Sequence, residues 1–232
     1  MPHRPGRLFA GLLMFVSSCV FAQDTIYDNA LWMGGLVLFE NEDSIDFSVE
    51  YQLRLDENMS SFSNDFVELM GYNKVNENLL LNGGVRFTRR TDHAETRIYF
   101  GGFLDLTQTA RGLVNRPDQF RLTLQVGYQH DYTTEFDDTR MGSNSIRWIL
   151  VGSKPATKKI TPFMLAGVLT TWNQAYNFGI DKIRLGGGIA LHTTKRSRLR
   201  MQYIWEESRF RTPQQRTNII WLRYEMAMGG TS

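Results

Sequence analysis

The sequence predicts an all-β protein, a single antiparallel, up-and-down transmembrane β-barrel of ten to twelve strands spanning residues 23–232. Three observations lead there. Beyond residue 22 the chain alternates apolar and polar residues with a period of two. Its alternating stretches are about 10 residues long, the length a tilted strand needs to cross a bilayer. No stretch after Ala22 approaches the ~18 consecutive apolar residues of a membrane-crossing helix.

Residues 1–22 form a separate segment. Arg4 and Arg7 precede an apolar run from Leu8 to Phe21, and Val20-Phe21-Ala22 places small residues at the −3 and −1 positions of a cleavage site. This is the pattern of a cleavable export signal, cut after Ala22. Its removal takes two of the 26 basic residues and none of the 24 acidic ones, leaving a formally neutral chain. Such a balance excludes a general nucleic-acid binder, which needs a basic face. The only cysteine, Cys19, lies inside the leader, so the mature chain has neither disulfide nor thiol chemistry. Val16-Ser17-Ser18-Cys19 loosely resembles a lipidation site, but the apolar Val20-Phe21-Ala22 is a poor start for a lipoprotein.

Taken in order, Leu31–Glu40 is a weak first strand. Ile45, Phe47, Val49, Tyr51, Leu53 and Leu55 then alternate with Asp46, Ser48, Glu50, Gln52 and Arg54. A helix would scatter those six apolar side chains around its circumference, whereas a strand places them on one face. Phe66–Lys74 and Leu79–Thr88 are weaker. Thr96, Ile98, Phe100, Gly102, Leu104 and Leu106 form one face of a fifth strand whose other face carries Glu95, Arg97 and Asp105. Phe120 to Gln129 alternates cleanly. Ser145–Gly152 and Thr161–Trp172 are weaker again. Ile183 to His192 and Arg198 to Glu206 alternate well, and Asn218–Met228 closes the series. Closed single-chain barrels have even strand counts. Eleven candidates therefore predict either ten strands, with Leu31–Glu40 outside the barrel, or twelve.

Alternation fits a membrane barrel, apolar outside, and equally a soluble lipocalin-like barrel, apolar inside. Densely charged polar faces favour the membrane. So do aromatics near strand ends, as an interfacial girdle requires: Trp32, Tyr51, Tyr128, Tyr132, Trp148, Trp172, Tyr203, Trp205, Trp221 and Tyr224. The tight turns Asn76-Glu77-Asn78 and Thr194-Lys195-Arg196 suit the periplasmic side. That makes Glu57–Asp65, Asn173–Asp181 and Ser208–Arg216 the longer, external connections, and leaves Thr107–Asp118 an unusually long periplasmic one.

Several segments resemble a bacterial outer-membrane β-barrel family of unknown function, domain of unknown function 2490. They are Trp32, the Glu50-Tyr51-Gln52-Leu53-Arg54 strand, Glu95-Thr96-Arg97, Phe120 to Leu124, Ile146-Arg147-Trp148, Thr161-Pro162-Phe163, Asn173 with Arg184, and Leu199 to Tyr203. The resemblance implies an outer-membrane barrel and assigns no activity. Many such barrels end on an aromatic residue read by the assembly machinery, whereas this chain runs on from Met228 to Ser232.

On this reading the lumen-facing charges include Glu50, Arg54, Arg97, Arg121, Arg184, Arg198, Arg200 and Glu206, with Asp46, Arg86, Glu95, Asp105, Asp131, Arg147, Arg223 and Glu225 beside them. Opposite charges would pair across a filled interior, because an unpaired buried charge is costly. The positive excess at Arg184, Arg198 and Arg200 suggests instead a small polar pore or an anionic-solute site. No catalytic motif is evident. His130 beside Asp131, His192 with Ser197 across a turn, and His93 beside Asp92 are the three histidines of the mature chain, and their spacing places no nucleophile, base and orienting group together. Neither metal nor cofactor motifs occur: Asp137-Asp138 is an isolated pair, and Gly186-Gly187-Gly188 sits mid-strand, where glycines let a wall curve or a neighbour approach. The expectation is an outer-membrane barrel with a structural or small-solute pore role. Its partners would be outer-membrane lipid, lipopolysaccharide and the barrel-assembly machinery. A rim-site hydrolase and a soluble periplasmic β-barrel holding a hydrophobic ligand are the alternatives.

Overall fold

The computed structural model describes residues 25–41, 45–91, 93–107, 120–134, 141–172, 178–209 and 214–229. The leader with Cys19, the greater part of Thr107–Asp118, Asp92, Asp137-Asp138 and Asn173 lie outside the described residues. Eleven strands form one closed barrel: β1 (Thr25–Glu40), β2 (Asp46–Asp56), β3 (Ser61–Lys74), β4 (Leu79–Arg90), β5 (Ala94–Asp105), β6 (Arg121–Thr134), β7 (Met141–Ser153), β8 (Ile160–Trp172), β9 (Gly179–His192), β10 (Ser197–Ser208) and β11 (Gln214–Gly229). Each strand pairs antiparallel with the next in sequence, as an up-and-down connection dictates.

The expected even strand count is overturned. Leu31–Glu40 belongs to the barrel, and β1 closes on β11 in parallel, in register from Thr25↔Gln214 to Glu40↔Gly229. With an odd number of alternating strands, the first and last run in the same direction, so the joining pair must be parallel. The barrel therefore has an N rim, where β1 starts, and a C rim, where β11 ends.

Parallel pairing is slightly less stable per residue than antiparallel, and this seam is reinforced from inside. Ala30, Trp32, Ile204 and Ile219 form a buried apolar cluster with Trp221 against it. The paired Trp32 and Trp221 rings meet edge-on, 6.0 Å apart. Both tryptophans thus belong to the interior, not to the surface girdle the sequence suggested. Arg223 of β11 also reaches over β1 to Glu50 of β2 at 3.0 Å, tying together the strands on either side.

The described part of the predicted long loop Glu57–Asp65 is mostly strand. β2 turns into β3 over residues 57–60, and Glu57, Asn58 and Met59 all take positive φ (51°, 58° and 67°). Non-glycine residues adopt that region only when their surroundings hold them there. Here Asp28 accepts the Asn58 N–H (2.9 Å) and the Asn29 carbonyl accepts the Met59 N–H (3.0 Å), docking the turn onto the start of β1. A register shift between Arg54 and Leu55 interrupts the β2–β3 pairing, so Ser63 has no opposite residue. That irregularity lies within Ser61–Asp65, the part of β3 that the sequence reading assigned to the loop.

The inner wall is narrow enough to need glycine. A Cβ on Gly188 of β9 would run into the Met201 carbonyl oxygen and the Gln202 Cα of β10. Gly188→Val is expected to cost about 1–3 kcal/mol or more, read as a lower urea midpoint of the refolded barrel, while Gly35→Ala, facing open space but for the Tyr224 carbonyl at 3.9 Å, leaves it nearly unchanged.

Candidate functional site: the lumen

Along β2 the exposure alternates residue by residue. Phe47, Val49 and Tyr51 are exposed, whereas Ser48, Glu50 and Gln52 are buried. The same partition runs around the barrel. Val67, Leu69, Phe87, Ile98, Phe100, Trp148, Met164, Leu185, Tyr203 and Ile220 point outward. Phe100, 66% exposed, stands in the middle of β5, and Met164, 75% exposed, is the fifth residue of β8. The interior holds Gln52, Asn82, Glu95, Gln129, Gln202, Glu206 and Glu225. An apolar concavity of about 650 Å³ lies on the outer wall over β2–β5, among Phe47, Val49, Leu69, Leu81 and Phe100. The polarity is therefore the reverse of a soluble barrel built around an apolar cavity.

Three outward tyrosines, each near the middle of its strand, aim their hydroxyls toward the N rim. Tyr51 donates its hydroxyl to Asp65 (3.1 Å), Tyr128 to Asn144 (2.7 Å) and Tyr203 to Asn218 (2.7 Å), and all three acceptors lie near the starts of β3, β7 and β11. Asp65 is also gripped by Arg89 through two bonds of 2.9 Å.

Inside, the lumen charges pair along the wall, between neighbouring strands, and not across the lumen as the sequence reading supposed. Arg86 meets Glu68 (2.7 Å), Arg97 meets Asp131, Arg184 meets Glu206 and Arg198 meets Glu225, and each of these is a directly opposed pair in the strand register. Directly opposed residues bring their Cβ atoms to about 5 Å, well within a guanidinium's reach. Secondary contacts complete the network. Glu95 takes Arg97 (2.7 Å) and Arg90 (3.1 Å), Glu206 takes Lys182 (3.1 Å), and Glu225 takes Arg223 (2.6 Å) and Arg200 (3.4 Å).

Glu50, Arg54, Arg97, Arg184, Arg198, Arg200 and Glu206 therefore all line the lumen, and carboxylates already engage the Arg184, Arg198 and Arg200 group that the sequence singled out as an anion site. Arg121 differs: it is exposed, at the C-rim start of β6. The interior also contains rings that alternation alone did not announce. Phe66, Tyr99 and Phe163 are buried there, and the Arg86 guanidinium lies 3.9 Å from the Phe66 centroid, with Arg54 4.1 Å from that of Trp32. Cation–π stacking of this kind holds a buried guanidinium without neutralising it.

Among the described residues, His130 and His192 do not meet the groups that the sequence set beside them. His130 faces outward, its Nδ1 at 2.6 Å from Asn144 Oδ1 and its ring edge-on to Tyr132, while Asp131 points the other way to Arg97. The Ser197 hydroxyl bonds to those of Thr193 (2.8 Å) and Thr194 (2.7 Å), and His192 lies instead 3.4 Å from the Thr161 hydroxyl. Neither site brings a nucleophile to a base.

Comparison with known proteins finds no matching family model and no curated relative. Among solved structures, the chain is similar to a bacterial polysaccharide outer membrane secretin (12% identity, TM-score 0.49, 78% of this chain and 73% of that one). It is also similar to the NanC porin (10% identity, TM-score 0.49, 77% and 86%) and to the KdgM porin (10%, 0.42, 73% and 80%).

Proposed function

We propose that this is an exported bacterial outer-membrane protein, freed of residues 1–22 by cleavage after Ala22, whose barrel spans the membrane without enzymatic chemistry and with a lumen constricted by its own side chains. The observation that carries the reading is the outward apolar wall. Burying Phe47, Val49, Phe100, Trp148 and Met164 in lipid removes a large exposed apolar surface that a water-soluble monomer rarely shows. Constriction follows from the interior. An eight-stranded barrel is just filled by its side chains and one of 16–18 strands leaves a channel. Eleven strands need long side chains to fill the middle, and Arg, Glu, Gln, Phe, Tyr and Trp are what the inner face supplies.

The resemblance to the outer-membrane family of unknown function agrees with this reading, and lipid, lipopolysaccharide and the barrel-assembly machinery are its natural partners. The full chain expressed with its leader is expected to fractionate with outer membranes, to resist alkaline extraction, and to migrate faster on gels before boiling than after. In planar bilayers the refolded protein should give no wide, steady conductance. Recovery in the soluble periplasmic fraction would remove the membrane reading, and a large standing conductance would remove the constriction.

A further inference from the structure

Two lumen arginines differ from the rest. Among the described residues, Arg54 and Arg147 have no carboxylate partner, while Arg86, Arg97, Arg184, Arg198, Arg200 and Arg223 each have one. Arg54 donates only to the neutral Gln52 carbonyl oxygen, at 3.1 and 3.3 Å, and stacks on Trp32 and Phe66. The charged groups that act most strongly on it are all cations: Arg86, Arg184 and Arg97. Arg147 lies 5.7 Å from the Tyr99 ring and shares Arg86 and Arg184 as its cationic neighbours. The carboxylate that acts on Arg147, Glu68, is held at 2.7 Å by Arg86.

Rings connect these groups into one cluster. Arg54 and Arg86 both lie on Phe66, Arg86, Arg97 and Arg147 all approach Tyr99, and Arg54 and Arg184 share Trp32. Three donors here are buried without a bond, the Arg147 Nε–H, the Gln52 amide nitrogen (Gln52 is only 1% exposed) and the Tyr99 hydroxyl, and one acceptor, the Asn64 Oδ1 on the residue opposite Arg54, is unpartnered beside them. Uncompensated buried charge is among the costliest arrangements a protein can hold. Two such cations beside spare donors match a group that is rich in acceptors and carries one to two negative charges.

We propose that the mid-lumen cluster of Arg54, Arg147, Tyr99 and Gln52 is a binding site for a small oxyanion of the phosphate type. The site deepens the reading of a constricted outer-membrane lumen and rests on it: the anion would complete the neutralisation of the interior.

The test uses the full-length mature protein refolded in detergent micelles, with inorganic phosphate as probe. Phosphate is expected to bind saturably by calorimetry and to raise the unfolding midpoint, with sulfate competing and sodium chloride at equal ionic strength having no such effect. Arg54→Gln and Arg147→Gln should each weaken phosphate binding about tenfold or more, the loss of roughly one charge-assisted contact. Arg121→Gln, on the exposed C rim, should leave it unchanged. If Arg121→Gln weakens binding as much, or if wild-type protein shows no saturable binding, the site is overturned. Should a glutamine variant fail to refold, broadening of the phosphorus resonance by wild type, reversed by sulfate, decides the matter. Faster gel migration before boiling reports separately on the barrel, so an absent anion site and an absent membrane barrel give different results.

Discussion

Phe100→Arg is expected to destabilise the folded barrel in lipid vesicles by about 2–4 kcal/mol, the cost of a cation on the lipid face near mid-bilayer. Phe100 stands in the middle of β5, two-thirds exposed, flanked by Gly83 and Tyr128 on the neighbouring strands. In water, an arginine at so exposed a site would change stability by within about 0.5 kcal/mol. The variant therefore measures which solvent the outer wall meets. Val75→Arg is the internal control: Val75 is exposed in the turn at the C rim, where a cation costs about 0–1 kcal/mol. Urea titrations from vesicles, read by the fast-migrating gel form and by tryptophan emission, give both numbers. Equal, small effects at the two positions would contradict a membrane-facing wall.

The second large effect is expected inside. Glu225, 6% exposed, is the shared acceptor for Arg223, Arg198 and Arg200. Glu225→Ala leaves Arg198 and Arg200 without a carboxylate and Arg223 with Glu50 alone. Removing one partner of a buried ion pair typically costs about 3–5 kcal/mol, because the remaining charge is left uncompensated. The same urea titration should show a loss of that size, and Glu225→Gln, which keeps the shape but not the charge, should recover only a part of it. A loss under about 1 kcal/mol would mean that water reaches the pair and that the lumen is wetter than its packing implies.

The sequence revealed most where the two faces of a strand differ in polarity. β2, β5, β6, β9 and β10 read clearly because each has a charged or amide-bearing inner face and an apolar outer one. β1 read weakly for a physical reason: its inner residues Ala30 and Trp32 are apolar too, since they build the seam cluster with Ile204 and Ile219. β8 blurred in the same way, with Phe163 buried inside and Met164 exposed outside. Closure was not legible at all. Periodicity reports which way a side chain faces but not which strand lies beside it, so the parallel β1–β11 pairing and the odd strand count had no local signature.

The candidate site shows the same division. Alternation placed Glu50, Arg54, Arg97, Arg184, Arg198, Arg200 and Glu206 on the inner face. It could not say which arginines would find carboxylates, because pairing depends on register between strands distant in sequence, as with Arg223 and Glu50. Arg54 and Arg147 stand out only once the register is known. Ser197 and His192 are near neighbours in sequence, yet the threonines of the turn take the serine hydroxyl.

The parallel seam has a topographic consequence. A barrel with an even number of strands begins and ends on one side of its membrane, so a tail at either terminus shares a compartment with the other. Here β1 enters at Thr25 on one rim and β11 leaves at Gly229 on the opposite one. As the membrane barrel proposed above, the polypeptide would cross a net one time, like a single-pass protein. Whatever precedes Thr25 and whatever follows Gly229 would be displayed to different compartments.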